Sequence, residues 1–304
     1  MERLLGPEVS ALLADPDVTE LYVNPDGRVR VDTRSRGRHA TELVLEANRT
    51  RAFLNTVASS LGTPLSEASP MLEAELPRGT FRGARLQGFV PPCVPEVTFV
   101  VRNPPARVYR LDELVESRVL RPEHRLALRQ AVVERQNILI AGGTRSGKTT
   151  FANALLAEIA EICPTDRLVI LEDTIELQCV AADHLALRTC PGVSLADLVR
   201  ATLRASPTRI VVGEVRDHSA LDLVDAWGTG HPGGCATLHA TDPQGALFRL
   251  DRLAQRNGVP SQLPEIARTI DLVVITAGDN LGRRVTDLVR VRGLSGDQPD
   301  LEAL

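Results

Sequence analysis

The sequence predicts an α/β protein in two parts: a smaller α+β domain over residues 1–103 and a larger domain over 122–304 built on a parallel sheet. Three observations carry that expectation. The first third mixes short alternating strands with helices, residues 122 onward alternate apolar strands with helical stretches, and proline pairs crowd the region between. A chain of 304 residues is comfortable for two cores. Its 43% hydrophobic and 24% charged residues are ordinary for a globular protein and exclude a disordered one.

Taken in order, residues 7–14 read as a short amphipathic helix. Residues 18–23 and 28–32 read as strands joined by the turn Pro25-Asp26-Gly27. Residues 48–61 have helical periodicity, with Asn48 as the cap and Gly62 as the stop. Strands follow around 72–76, 82–90 and 97–102, and Pro91-Pro92 and Pro104-Pro105 punctuate the chain. A linker is expected over 104–121. In the larger part, strands are expected at 137–141, 168–171, 210–212, 236–238 and 272–276, with helices such as 149–162 and 195–203 between them. Residues 296–304 read as a frayed tail.

Composition narrows the function. A formal charge of −4 offers no broad basic field, and sequence-specific or nonspecific nucleic-acid binding is not expected. The arginines at 28, 30, 34, 36 and 38 have no aromatic residues among them, so they read as a solvated hairpin face. Five cysteines are scattered without a CxxC pair, which points to a reducing cytosol. The opening residues lack an apolar signal core, and charge or Gly/Pro breaks every apolar run. A cytoplasmic protein is expected, with membrane contact at most peripheral.

The run Gly142-Gly143-Thr144-Arg145-Ser146-Gly147-Lys148-Thr149 matches GxxxxGK[ST], follows an expected strand, and opens a helix through Thr150. Glycines let the backbone curl so that successive N–H groups face phosphate oxygens, and the helix N-terminus adds positive potential. Lys148 neutralises the β- and γ-phosphates, and Thr149 ligates Mg²⁺. Lys148 is the one lysine among 35 Lys+Arg residues. Where arginine serves at every other cationic position, this site demands a compact ammonium. ATP and Mg²⁺ are the expected ligands.

Hydrolysis also needs carboxylates at the C-terminal ends of the strands. Glu172-Asp173 follows one strand, and Glu214 follows Ile210-Val211-Val212-Gly213. Gly213 stands where a Walker B strand usually has Asp. Glu214 is therefore expected to orient water, and Glu172 or Asp173 to handle Mg²⁺ through water. The segment Thr229-Gly230-His231-Pro232-Gly233-Gly234-Cys235-Ala236-Thr237-Leu238-His239 offers His231 and His239 as phosphate sensors. A zinc set of His231, Cys235 and His239 would lack a fourth ligand and a standard spacing.

The order of these motifs (P-loop, Leu-Glu-Asp-Thr-Ile-Glu-Leu-Gln, Arg-Ile-Val-Val-Gly-Glu-Val-Arg, then the histidine segment) resembles the secretion ATPases of type II and type IV systems. Within them it resembles the TrbB-type conjugal transfer ATPases, through Ala-Trp-Gly-Thr-Gly-His-Pro-Gly-Gly and the opening Asp-Pro-Asp-Val-Thr-Glu-Leu-Tyr-Val-Asn-Pro. The resemblance implies a RecA-like C-terminal domain and a homo-hexameric ring with nucleotide between the domains. It also implies docking on inner-membrane components of a secretion or conjugation apparatus. Gly-Glu in place of Asp-Glu is that family's own pattern. Glu172 falls on its acidic box, Glu214 on its Walker B glutamate, and His231 and His239 on its histidine box. Arg85 and Arg102 match its phosphate-contacting arginines. One departure is that Ser206 and Thr208 replace an arginine and an aspartate; if that arginine couples subunits, coupling here is weaker or runs through Arg204 or Arg209. Rival readings are a pilus or type II secretion motor, a RecA-like DNA-translocating ATPase, and a nucleotide-regulated scaffold.

Overall fold

The computed structural model describes residues 1–105, 107–279 and 282–304. Ala106, in the expected linker, and Asn280 and Leu281, in the larger expected domain, lie outside the described residues. Two compact units are present, Met1–Arg107 and Val108–Leu304.

In the first unit, α1 (Glu2–Leu5) and α2 (Pro7–Ala14) precede β1 (Val18–Val23), β2 (Arg28–Thr33) and β3 (Gly37–Val44). Then come α3 (Ala47–Ser60), β4 (Met71–Glu75), α4 (Arg78–Phe81), β5 (Arg85–Phe89) and β6 (Thr98–Arg102). The strands form one six-stranded sheet in the order β3-β2-β1-β6-β5-β4. Alternation puts Leu21, Val31, Leu72, Leu86 and Phe99 on one face, where Phe53, Leu54 and Val57 of α3 cover them. Gly88 permits that approach, since a Cβ there would meet the Leu54 side chain at 2.8 Å. The helix is capped by Glu46, not by Asn48, and no side chain bonds its first amides.

The second unit runs α5 (Leu111–Glu116), α6 (Pro122–Val133), β7 (Ile138–Gly142), α7 (Lys148–Ile162), β8 (Leu168–Glu172) and β9 (His184–Arg188). It continues through α8 (Leu195–Thr202), β10 (Arg209–Val212), α9 (Ser219–Gly228), β11 (Cys235–Leu238), α10 (Pro243–Ala254) and α11 (Leu263–Thr269). Strands β12 (Leu272–Asp279), β13 (Gly282–Ser295) and β14 (Gln298–Ala303) finish it. Sheet order is β14-β13-β12-β7-β11-β10-β8-β9. The run from β12 to β9 is parallel, and β13 and β14 add antiparallel strands at one edge. Helices cover both faces, so β7, β8, β10 and β11 are buried along their whole lengths. Helix α5 occupies part of the span read as linker. The expected frayed tail is corrected: Leu301 pairs with Val291, and His124 Nε2 lies 3.0 Å from the Leu304 carbonyl oxygen.

Arg209 is fully buried at the start of β10. Its guanidinium donates to Asp166 Oδ2 at 2.6 Å, to the Gly233 and Val132 carbonyls at 2.9 Å each, and to Cys163 Sγ at 3.2 Å. Those bonds engage all three guanidinium nitrogens. The expectation that Arg209 couples subunits is therefore corrected to an internal brace. Thr208, where the resembling family has aspartate, accepts the Arg167 amide at 3.0 Å. Arg209→Leu strands the buried Asp166 with Arg135 alone, and urea denaturation should show a loss of about 3 kcal/mol.

Candidate active site

Strand β7 ends at Gly142, where a Cβ would overlap Ser146 Oγ and Thr276 Oγ1. Those two hydroxyls bond each other at 2.8 Å, pinning the loop to β12. Arg145 (φ 63°) and Gly147 (φ 99°) take left-handed conformations on either side of Ser146. That alternation turns amides to a common centre, which favours an anion. Gly143, Thr144 and Arg145 are exposed, and Gly147, Thr149 and Thr150 are half-buried. No side chain caps α7, so its first amides stay available at the positive end of the helix dipole.

Lys148 is buried (8% exposed), and its Nζ donates to the Gly142 and Gly143 carbonyls at 2.9 Å each. Its third contact is His239 Nδ1, at 3.4 Å. On the other side of the ring, His239 Nε2 lies 3.0 Å from Glu214 Oε1. An accepting Nδ1 beside the ammonium assigns the proton to Nε2, which then donates to Glu214. Arg216 closes the chain with a 2.6 Å bond to Glu214 Oε2. Burial alone would push the Glu214 carboxyl up. The Arg216 hydrogen bond and the charges of Arg216, His239 and Lys148 outweigh it, holding the group below its ordinary value. His239 is lowered by burial and by the Lys148 charge, despite the pull of Glu214.

Both groups titrate lower in the folded chain than unfolded, so the unfolded chain binds more protons in acid. Stability from Glu214 is present above about pH 4.3 and is lost as pH falls through its lower folded value. That from His239 is complete above about pH 6.5 and declines below it. The melting temperature of His239→Gln should accordingly fall less than that of the parent between about pH 6.5 and 5.

Glu172 is buried, and its Oε1 accepts the Glu176 amide at 2.8 Å and the Leu177 amide at 2.9 Å. That oxygen holds the following loop in place, which gives Glu172 a positioning contact in addition to the role expected of it. What the loop delivers is Glu176, whose Oε2 accepts the Thr149 hydroxyl at 2.8 Å. Sequence reading passed over Glu176; the signal available was a second acid on the same loop, four residues after Glu172. Asp173 is exposed, and together with Glu176 it contributes to the negative field at Arg216. A hydroxyl with carboxylates close by is the hard-oxygen donor set that Mg²⁺ takes through water. Among the described residues no cluster of three or more His, Cys, Asp or Glu is arranged to hold a metal unaided.

Gly213 has a steric reason as well. A Cβ there would meet Glu172 Cγ at 2.8 Å and Oε1 at 3.1 Å. Gly213→Ala should displace Glu172, loosen the Glu176 loop and lower phosphate release on the order of tenfold, as a positioning loss does.

The two histidines part company. β11 is parallel to β7, with Cys235 opposite Ile138 and Leu238 opposite Ala141. His239 follows β11 at the loop end, whereas His231 precedes it and bonds the Pro207 carbonyl at 3.2 Å. The structure separates the two rings, with His239 beside Lys148 and His231 at the opposite end of β11. Arg85 and Arg102 belong to the first unit, opposite each other on β5 and β6. They continue a charged row across the sheet, with Glu75 facing Arg85 and Glu20 facing Arg102.

The type II/IV secretion system protein family matches residues 9–285. A probable conjugal transfer protein TrbB of Sinorhizobium fredii is 38% identical over 303 residues, covering 100% of this chain and 92% of the relative. The conjugal transfer protein TrbB of Rhizobium radiobacter is 39% identical over 293 residues, covering 96% and 90%. Among solved structures, the VirB11 ATPase of the Brucella suis type IV secretion system, in complex with sulphate, aligns with a TM-score of 0.52 at 27% identity. That alignment covers 95% of this chain and 93% of the VirB11 chain.

Proposed function

Because the chain belongs to the type II/IV secretion system protein family, we propose that it is an ATP-hydrolysing motor of a conjugative type IV secretion system. The second unit is read as its RecA-like P-loop domain. The observation that carries the reading is the Lys148–His239–Glu214 chain beside the uncapped start of α7. It joins a phosphate-binding cation to a carboxylate through one imidazole.

The loop amides and Lys148 hold the phosphates, and Glu214, ionised at neutral pH, orients the attacking water and accepts its proton. Thr149, with Glu176 and Asp173 through water, would hold Mg²⁺, which would supply positive charge to offset that developing on the phosphates. Lys148 keeps His239 by a 3.4 Å contact, longer than its two carbonyl bonds. A γ-phosphate oxygen therefore competes first for that donor, and the ring that loses it also touches Glu214. His239 reports the terminal phosphate to the hydrolytic carboxylate by this route.

The working form is read as a homo-hexamer at the cytoplasmic face of the inner membrane, powering pilus assembly or substrate transfer with components of the apparatus. No helix among the described residues is long and apolar enough to cross a membrane. Light scattering with and without ATP–Mg²⁺, coupled to phosphate release, tests both parts. A hydrolysing hexamer is expected; a monomer that binds ATP without turnover overturns the motor reading.

A further inference from the structure

Strand β12 does not stop where β7 stops. Thr276 pairs with Gly142, the last residue of β7, and Ala277 and Gly278 continue past it, facing Arg284 and Arg283 of β13. Gly278 rides on the phosphate loop itself: a Cβ there would come within 3.1 Å of the Arg145 carbonyl oxygen and 3.3 Å of Ser146 Cα. Arg283 lies across the next turn of the loop. Its Cδ is 3.1 Å from where a Gly147 Cβ would stand, with Cγ at 3.8 Å and Cβ at 3.9 Å. Two residues on, Val285 is buried in the same core cluster as Phe151 and Leu155 of α7. Arg283 therefore shares the strand face that covers α7, and Arg284 alternates to the other.

A cation laid against the N-terminal end of a helix opposes the helix dipole, and here Lys148 already opens the helix. Two cationic side chains, Lys148 and Arg283, beside one set of inward-turned amides form the complement of a polyanion. The phosphates cradled by loop amides are those shared by ATP and ADP, whereas the lysine reaches towards the terminal one. We propose that Arg283 is a further nucleotide-binding residue, one that grips the diphosphate common to substrate and product and so sets affinity for both. The proposal rests on the nucleotide-binding reading of the loop.

A contact made equally in substrate and product changes KM and leaves kcat alone. Calorimetric titration of the full chain with ADP–Mg²⁺, beside steady-state phosphate release, reads both. Arg283→Ala should weaken ADP about tenfold and raise KM for ATP by a like factor, as loss of a charge-assisted contact does, with kcat within about twofold. Arg283→Lys should recover part of the affinity, and Arg284→Ala should bind as the parent does. If the parent binds ADP and Arg283→Ala binds it within about twofold, the inference is overturned and the loop reading stands. A fall in kcat at unchanged KM overturns it equally. If the parent itself fails to bind ADP, the functional reading goes first.

Discussion

Lys148→Ala should abolish measurable turnover while leaving the fold standing. In this structure the ammonium satisfies two loop carbonyls and touches His239. Its removal takes charge from the point where phosphate charge must be held, and it also disconnects the imidazole from the loop. Loss of one preorganised donor in such a site costs about 10²–10³ in kcat, and here the donor carries a full charge. The stability cost is smaller, because alanine is a good helix former at the first residue of α7. Lys148→Arg is the sharper variant. Lys148 is buried, with donors aimed at adjacent carbonyls, and a planar fork cannot reproduce that convergence. It should fail nearly as badly as alanine. Phosphate release together with circular dichroism checks both; a variant that hydrolyses ATP within tenfold of the parent removes Lys148 from the site.

What the sequence revealed, and what it hid, follows from how far each interaction reaches along the chain. The loop was legible because its chemistry is local: glycines, lysine and threonine on consecutive residues, with a strand before and a helix after. Glu214 was legible as an acid after an apolar strand. His231 and His239 looked equivalent because they frame one motif, yet a strand of four residues, about 13 Å long, lies between them. Glu172 and Glu176 could not be ranked from sequence, since what separates them is which carboxylate the loop turns inward. The burial of Arg209 was hidden because it depends on Asp166, Gly233 and Val132, all distant in sequence. The last strand was hidden by composition. Gln298–Ala303 is polar, as edge strands are, and Asp300 and Glu302 give it the look of a solvated tail. Arg283 was invisible for a related reason, because only the register of β12 against β7 and β13 carries it back to the loop.

Glu214→Gln should separate binding from hydrolysis. The amide has nearly the shape of the carboxylate, so Lys148 keeps its loop. Nucleotide affinity should stay within about threefold, a change of less than 1 kcal/mol. Turnover should fall by about a hundredfold or more, the contribution of a positioned general base. The charge is the decisive difference. Arg216 and His239 both bond the carboxylate, and their pull keeps it ionised below the ordinary carboxylate range. Glutamine can offer one acceptor oxygen where two bonds now end, so one neighbour meets an NH₂ instead. Arg216, being always charged, keeps its claim on the oxygen, and the imidazole is the partner displaced. Glu214→Gln removes a negative charge that raises His239, so the variant should titrate that ring still lower in nuclear magnetic resonance, as well as stopping phosphate release. If the variant hydrolyses ATP at the parent rate, the base is another carboxylate. Glu176, already bonded to the Thr149 hydroxyl, is then the first to replace.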